Sequence, residues 1–367
     1  MRTLALLTAA AMTAGLALAA PSQARATGLA LPAPTGAYRV GVTDLHLVDQ
    51  DRADPWVPER RRELMVSLWF PATGRGGAAD PYTTPAESRL ILEQLRATTV
   101  PPEALSTVRT FARTGIRALP GPSRPLVVLS PGFSYPRTSL TALAEDLASR
   151  GYVVAGIDHT YEAAAITFPD GRITTCLVCT LSKPNPVLSA QITSGRAADT
   201  SFVLDELTRH RLPSGIRVDA TRIAMAGHSI GGTSAAETML RDRRIDAGIN
   251  MDGTFAPPLA RPLHRPFLML GAEVHGRPGA DPTWDTTWQH LTGWRRWLTV
   301  TGTTHASFTD YATIGEQAGL PVQPLSGDRC ADLTRTYVAA FMDRHLRHRG
   351  TLLAGPSPEN PEVVFQA

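Results

Sequence analysis

A hexapeptide, Gly227-His-Ser-Ile-Gly-Gly232, stands between an apolar run, Ile223-Ala-Met-Ala226, and a helix-compatible stretch, Thr233-Ser-Ala-Ala-Glu-Thr-Met-Leu240. That order constrains the fold more than anything else in the chain. Small residues on both sides of a serine let the backbone reverse from strand to helix in a turn with no room for side chains, and the turn leaves the hydroxyl exposed at a sheet edge. Such an elbow needs a strand before it and a helix after it. It therefore implies a layered α/β architecture and makes Ser229 the first candidate for chemistry.

The flanking sequence supplies the rest of that architecture. Pro125-Leu-Val-Val-Leu-Ser130 is a continuous apolar run of the kind buried on both faces of a parallel sheet, and Pro131-Gly132 ends it. Leu140, Leu143 and Leu147 then recur at helical spacing before Tyr152-Val-Val-Ala-Gly-Ile-Asp158, which reads as a second buried strand. Strand, helix and strand of this length form a βαβ unit. Further strands are predicted at 222–226, 247–251, 266–270 and 297–301, with helices over 194–210 and 331–346. Two opening strands, 38–48 and 64–70, precede a Gly/Pro/Thr-rich stretch with a short helix near 88–96. Residues 163–193 form an insertion with a hairpin around Pro169-Asp-Gly171 and a Pro-rich loop, either a cover for the site or a passive excursion. The fold class is α/β, with a mostly parallel central sheet and helices on both faces.

With 367 residues, 43% hydrophobic and 19% charged, the chain has the material for one large core. Met1-Arg2 followed by an apolar stretch to Leu18, with small-x-small sites ending at Ala19 and Ala26, reads as a secretory signal peptide. The organisation expected is residues 1–26 as signal and 27–367 as a single secreted catalytic domain. A formal charge of +3 gives no nucleic-acid footprint, and the Arg60-Arg-Arg62 cluster is flanked by Glu59 and Glu63, as on a solvated face. Three cysteines, Cys176, Cys179 and Cys330, allow one disulfide and one thiol in an oxidising compartment, with the pairing open. Neither a zinc site nor a dithiol redox motif has its required context.

A serine hydroxyl is a weak nucleophile at neutral pH and needs a histidine base, which in turn needs a carboxylate to fix its tautomer. Where a nucleophile sits on such an elbow, the acid and then the histidine follow it along the chain. His305, in the small-residue segment Thr301-Gly-Thr-Thr-His-Ala-Ser307 after the last of these strands, is the best-placed base. His345 and His348 fall at a helix end near the C-terminus, where a cation suits the dipole. His275 and His290 read as loop and helix-surface residues. Two carboxylates compete for the third role: Asp252 in Asn250-Met-Asp-Gly253, and Glu273 in Gly271-Ala-Glu273. Position alone slightly favours Glu273.

The chain resembles the plasma-type platelet-activating factor acetylhydrolase family of secreted α/β-hydrolase serine esterases. The likeness rests on Val40-Gly-Val-Thr-Asp-Leu45, Leu129-Ser-Pro-Gly-Phe133, Leu147-Ala-Ser-Arg-Gly-Tyr-Val-Val-Ala-Gly-Ile-Asp-His159, the elbow, Ile249-Asn-Met-Asp-Gly253 and Thr304-His-Ala-Ser-Phe-Thr-Asp310. It runs from about residue 38 to 346. The resemblance implies the triad Ser229, Asp252 and His305, which moves the acid from Glu273 to Asp252. It also implies oxyanion donors at the backbone N–H groups of Phe133 and Ile230, and acyl transfer without metal or organic cofactor. Ser130-Pro-Gly132 departs from the His-Gly more usual before the first donor, and the cysteine-bearing insertion has no counterpart in the family pattern.

The expected substrate is a small-molecule or lipid ester with a short acyl chain or a phospholipid scaffold. The alternatives are a lipase or cutinase-like polyester hydrolase, and a non-catalytic binding protein on a hydrolase scaffold. Trp284, Trp288, Trp294 and Trp297 crowd one segment, and core packing is the favoured reading over peripheral contact with a lipid interface.

Overall fold

A computed structural model describes residues 28–74, 76–181 and 185–366; the expected signal segment lies outside the described residues. The apolar runs become strands β1 (Arg39–Ala53), β2 (Arg61–Ala72), β3 (Ala78–Ala79), β4 (Arg113–Thr114), β5 (Arg124–Ser130) and β6 (Val153–Asp158). These are followed by β7 (Ile166–Thr167), β8 (Ile173–Thr174), β9 (Val218–His228), β10 (Ile245–Met251), β11 (Phe267–Ala272), β12 (Arg295–Val300) and β13 (Val363–Phe365). All except the β7–β8 hairpin belong to one sheet, ordered β13-β12-β11-β10-β9-β5-β6-β2-β1-β4-β3. From β6 through β12 every neighbouring pair is parallel, while β2 joins β6 and β13 joins β12 antiparallel.

The helices are α1 (Pro85–Gln94), α2 (Thr141–Ser149), α3 (Val178–Leu181), α4 (Pro186–Arg209), α5 (Ile230–Arg241), α6 (Pro282–His290), α7 (Tyr311–Gln317) and α8 (Gly327–Arg347). Alternation along the central strands divides the core between two faces. Val127 and Leu129 of β5 pack with Leu143 and Leu147 of α2 and with Phe341 of α8. Their neighbours Leu126 and Val128 pack on the opposite side with Val203 and Leu204 of α4 and with Ala235 and Met239 of α5. A mostly parallel sheet with helices on both faces is the architecture expected from the βαβ pattern.

Several boundaries differ from those read in the sequence. Helix α4 begins at Pro186 rather than near Ser194, because the Asn185 side chain accepts from the Leu188 amide and proline takes the first helical position. Residues 186–193 of the insertion are therefore helix and not loop. Strand β13 is a three-residue edge piece held only by β12, too short to leave a periodic signal. Cys176 and Cys179 form the disulfide, and Cys330 is a buried thiol on α8. Trp284 and Trp297 are buried with ring centroids 5.6 Å apart, and Trp288 meets Trp297 at 5.8 Å, so this part of the tryptophan cluster is core. Among the described residues no helix is long and apolar enough to cross a membrane.

Candidate active site

Strand β9 feeds directly into the elbow. Ser229 has φ 55° and ψ −129°, a positive-φ conformation that non-glycine residues seldom adopt and that the surroundings must enforce. Its amide donates to the Met251 carbonyl at 2.8 Å, and its carbonyl accepts from the Gly232 amide at 2.9 Å. A Cβ on Gly227 would collide with the backbone of Gly231, and one on Gly231 would collide with the Ser130 carbonyl. Both glycines are thus required for the turn from β9 into α5 to close against the end of β5.

Two loops from the same sheet edge bring in the partners. Asp252 follows β10, is 1% exposed, and also has positive φ. Its Oδ2 accepts from His305 Nδ1 at 2.7 Å, and its Oδ1 accepts from the Ala272 amide at 2.8 Å and from His275 Nδ1 at 3.0 Å. Burial alone would push this carboxyl up; the hydrogen bonds from His275 and His305 outweigh it and bring the pKa down to about 2. Asp252 is therefore a carboxylate at any physiological pH. With Nδ1 donating to that carboxylate, the free lone pair of neutral His305 lies on Nε2, the tautomer a general base needs.

The turn after β5 completes the constellation. Arg196 on α4 donates to the Pro131 carbonyl at 2.5 Å and anchors the turn that presents Phe133. Among the described residues, the Phe133 amide has no hydrogen-bond partner, and the Ile230 amide is the first of α5, ahead of any intrahelical acceptor. Phe133, Ser229, Ile230, Asp252 and His305 all line one cavity of about 610 Å³. His228, between Gly227 and Ser229, is buried, and its Nε2 donates to the His305 carbonyl at 2.8 Å. Burial and the neighbouring His305 hold its pKa down at about 3, so it is a neutral strut for the loop that carries His305.

The structure separates the two rival acids. Glu273 accepts from the Gly302 amide at 2.7 Å and braces the turn leading toward His305, whereas Asp252 meets the imidazole itself. His275 lies on a loop, as read in the sequence, and there it contacts Asp252 and lines the cavity. Nothing in its spacing marked it, because the contact is made across the ends of β10 and β11. The His290 ring donates to the Thr286 carbonyl of its own helix at 3.0 Å, and His345 packs against Trp294 and Phe341. His348 caps α8 in the left-handed conformation, far in the chain from this cavity's lining.

The sheet, the elbow and the relatives of the chain define an α/β hydrolase acting on carboxylic esters. The family model for platelet-activating factor acetylhydrolase, isoform II, matches residues 24–171 and 192–347, and the chain belongs to that family. It is 31% identical to a probable 1-alkyl-2-acetylglycerophosphocholine esterase of Arthroderma benhamiae, over 66% of each chain. It is 25% identical to the platelet-activating factor acetylhydrolase of Canis lupus familiaris, over 85% of this chain and 76% of that one. Among solved structures, a ferulic acid esterase from Streptomyces cinnamoneus is 45% identical with a TM-score of 0.83, covering 93% of this chain and all of the other. Cutinase est2 of Thermobifida alba is 26% identical over 40% of each chain.

Proposed function

We propose that Ser229, His305 and Asp252 hydrolyse carboxylic esters through an acyl-enzyme. The observation that carries this reading is the 2.7 Å contact of Asp252 with His305 Nδ1 at a cavity that also holds Ser229 and two unengaged amides. His305 Nε2 takes the proton as Ser229 Oγ attacks the ester carbonyl, and the oxyanion rests on the N–H groups of Phe133 and Ile230. Collapse of the tetrahedral intermediate passes the proton from His305 to the leaving alcohol. Water then attacks the acyl group with His305 again as base, and Ser229 is regenerated.

The walls of the cavity indicate the acyl group. Phe133, Leu188, Ile192 and Ile230 lie on the insertion side, with Ala272 and Val274 among the remaining apolar lining. Among the described residues that line it, the titratable side chains are Asp252, His275 and His305. An uncharged acyl group fits such walls. The family supports a short acyl chain on an alcohol of phospholipid type. The 45% identical ferulic acid esterase supports a second reading, a hydroxycinnamoyl ester, for which the cavity has the volume. The cutinase-like reading rests on the partial match to Thermobifida alba cutinase. Residues 172–191, which the family model skips, contribute Leu188 and Ser189 to the wall, so the insertion shapes the acyl site in this reading.

Residues 1–26 direct export in the same reading, and residues 27–367 act as one catalytic domain. The Cys176–Cys179 disulfide suits an oxidising compartment. Turnover of p-nitrophenyl acetate, a short-acyl phospholipid, methyl ferulate, tributyrin and polyester film by the wild type and Ser229→Ala tests the proposal. The catalytic assignment fails if the folded alanine variant retains hydrolysis, and the order of rates chooses the acyl class. N-terminal sequencing of protein recovered from culture medium tests export.

A further inference from the structure

His275 lies on the loop after β11, and both of its ring nitrogens face carboxylates. Nδ1 is 3.0 Å from Asp252 Oδ1, and Nε2 is 2.8 Å from Asp281 Oδ2. Thr254 Oγ1 is 2.9 Å from the same Nε2 and 2.9 Å from Asp281 Oδ2, and its one hydroxyl proton can serve only one of them. A neutral imidazole has one N–H and one lone pair, so it would turn a lone pair toward one of the two carboxylates. The imidazolium donates to both. We propose that His275 is a positioning residue that clamps Asp252 as a cation and thereby sets the acid limb of the pH profile of the reaction. The inference rests on the proposed roles of Ser229, His305 and Asp252.

Asp252 is a shared hub, with Oδ2 given to His305 and Oδ1 to His275 and the Ala272 amide, so the carboxylate cannot rotate without losing a charged partner. Asp281 is itself fixed: its Oδ1 caps α6 by accepting from the Thr283 amide, and its side chain is largely buried. The titratable groups that face His275 are Asp252 from the end of β10, Asp281 from the start of α6 and, across Asp252, His305; the edge of Trp284 closes another side with ring centroids 5.6 Å apart. Burial opposes charge on His275, yet the two carboxylates outweigh it and raise its pKa.

The consequence for His305 has a definite sign. A cation on the far oxygen of Asp252 withdraws part of the negative charge that would otherwise favour protonated His305. In this proposal the acid limb of activity therefore lies at a lower pH than it would beside an unclamped aspartate.

The test is the pH dependence of kcat/KM for p-nitrophenyl acetate in wild type, His275→Asn and Asp281→Asn, with stoichiometric fluorophosphonate labelling of Ser229 at alkaline pH as the check of folding. For His275→Asn the acid limb is expected to move upward by roughly 0.5 to 1 pH unit, as loss of one charge at this range implies. For Asp281→Asn, which keeps a capping side chain but weakens the hold on the imidazolium, the expected shift is in the same direction and smaller. A His275→Asn enzyme that labels fully and is uniformly slower with the wild-type limb overturns the inference, since a merely structural residue would give that result. An Asp281→Asn limb equal to wild type, with His275→Asn shifted, overturns the clamp by two carboxylates. Hydrolysis by Ser229→Ala in the same assay would instead overturn the proposed function.

Discussion

The molecule holds two sets of serine, histidine and aspartate, in each of which a histidine Nδ1 meets an aspartate oxygen. In one, Ser229 and His305 share a cavity and His305 Nδ1 donates to Asp252 at 2.7 Å. In the other, Ser130 Oγ lies 3.0 Å from His159 Nε2, and His159 Nδ1 lies 2.8 Å from Asp199 Oδ2. By residue types and hydrogen bonds the second set is the more complete. It is nevertheless sealed: Ser130, His159 and Asp199 are each at most 1% exposed. Its hydroxyl is covered by the Arg196 guanidinium at 3.4 Å, and its aspartate is engaged by Arg62 at 2.6 Å and by Arg52 at 2.6 Å. No residue of this set lines the 610 Å³ cavity.

The difference teaches that a relay of three residues is only part of an ester-hydrolysing site. What distinguishes Ser229 is the elbow that carries it and the cavity it lines; in the proposed reading the Phe133 and Ile230 amides there receive the oxyanion and the cavity receives the acyl group. The sealed set serves a different end. With Arg196, which reaches Pro131, and Glu162, which accepts from Arg196 Nε at 2.7 Å, it fixes the end of β5 and the turn that presents Phe133. One set is exposed for chemistry in the proposed reading, and the other holds the floor on which that chemistry stands.

Exchange of the two serines is the hardest test of this contrast. Ser229→Ala is expected to lower kcat by about 10⁵-fold or more. Ser130→Ala should leave labelling of Ser229 by a fluorophosphonate intact and cost no more than about tenfold in rate. If the two alanine variants lose activity alike, the distinction collapses. The acids come next. Asp252→Asn should cost on the order of 10⁴ in kcat by permitting the wrong tautomer of His305, whereas Glu273→Gln, which affects only the brace to Gly302, should stay within about tenfold. Steady-state rates of the purified variants decide this, and a larger loss from Glu273→Gln would reverse the assignment.

In the sealed set the effect should fall on stability. Asp199→Asn leaves the buried Arg62 guanidinium with Asp54 at 2.9 Å as its remaining close carboxylate, so the cost should stay below the roughly 3 to 5 kcal/mol of a fully broken buried pair. Urea unfolding should show the loss, and an unchanged midpoint would show that the network is not structural. The smallest effect concerns His228, which sits between the two regions. Its folded pKa of about 3 lies below the ordinary value of 6.5, so the unfolded chain binds the proton first. Its contribution is complete above about pH 6.5 and is lost as pH falls toward 3. His228→Gln should flatten that part of the stability profile, as read by unfolding at stepped pH; an unaltered slope would contradict the neutral strut.

Much of the fold was legible because parallel strands buried on both faces leave unbroken apolar runs, as at 125–130 and 152–158. Helix α4 was placed eight residues late, since the Pro-rich segment before it looks like loop unless the Asn185 cap is recognised. In the site, the elbow was legible because its glycines are a local steric demand, and His305 because small residues after a terminal strand mark a loop at the sheet edge. The choice between Asp252 and Glu273 was not legible from position. Both follow adjacent parallel strands, and only the direction taken by each side chain separates them.

The sequence by itself determined the strand-turn-helix at Ser229, the parallel sheet around it and a short list of partners, because these follow from backbone sterics and apolar periodicity within tens of residues. Tertiary structure alone decided that His275 joins Asp252 and that the second serine set is sealed. Those outcomes depend on where β5, β9, β10, β11 and β12 end relative to one another in a twisted sheet. Contacts across strand ends leave no period in the chain.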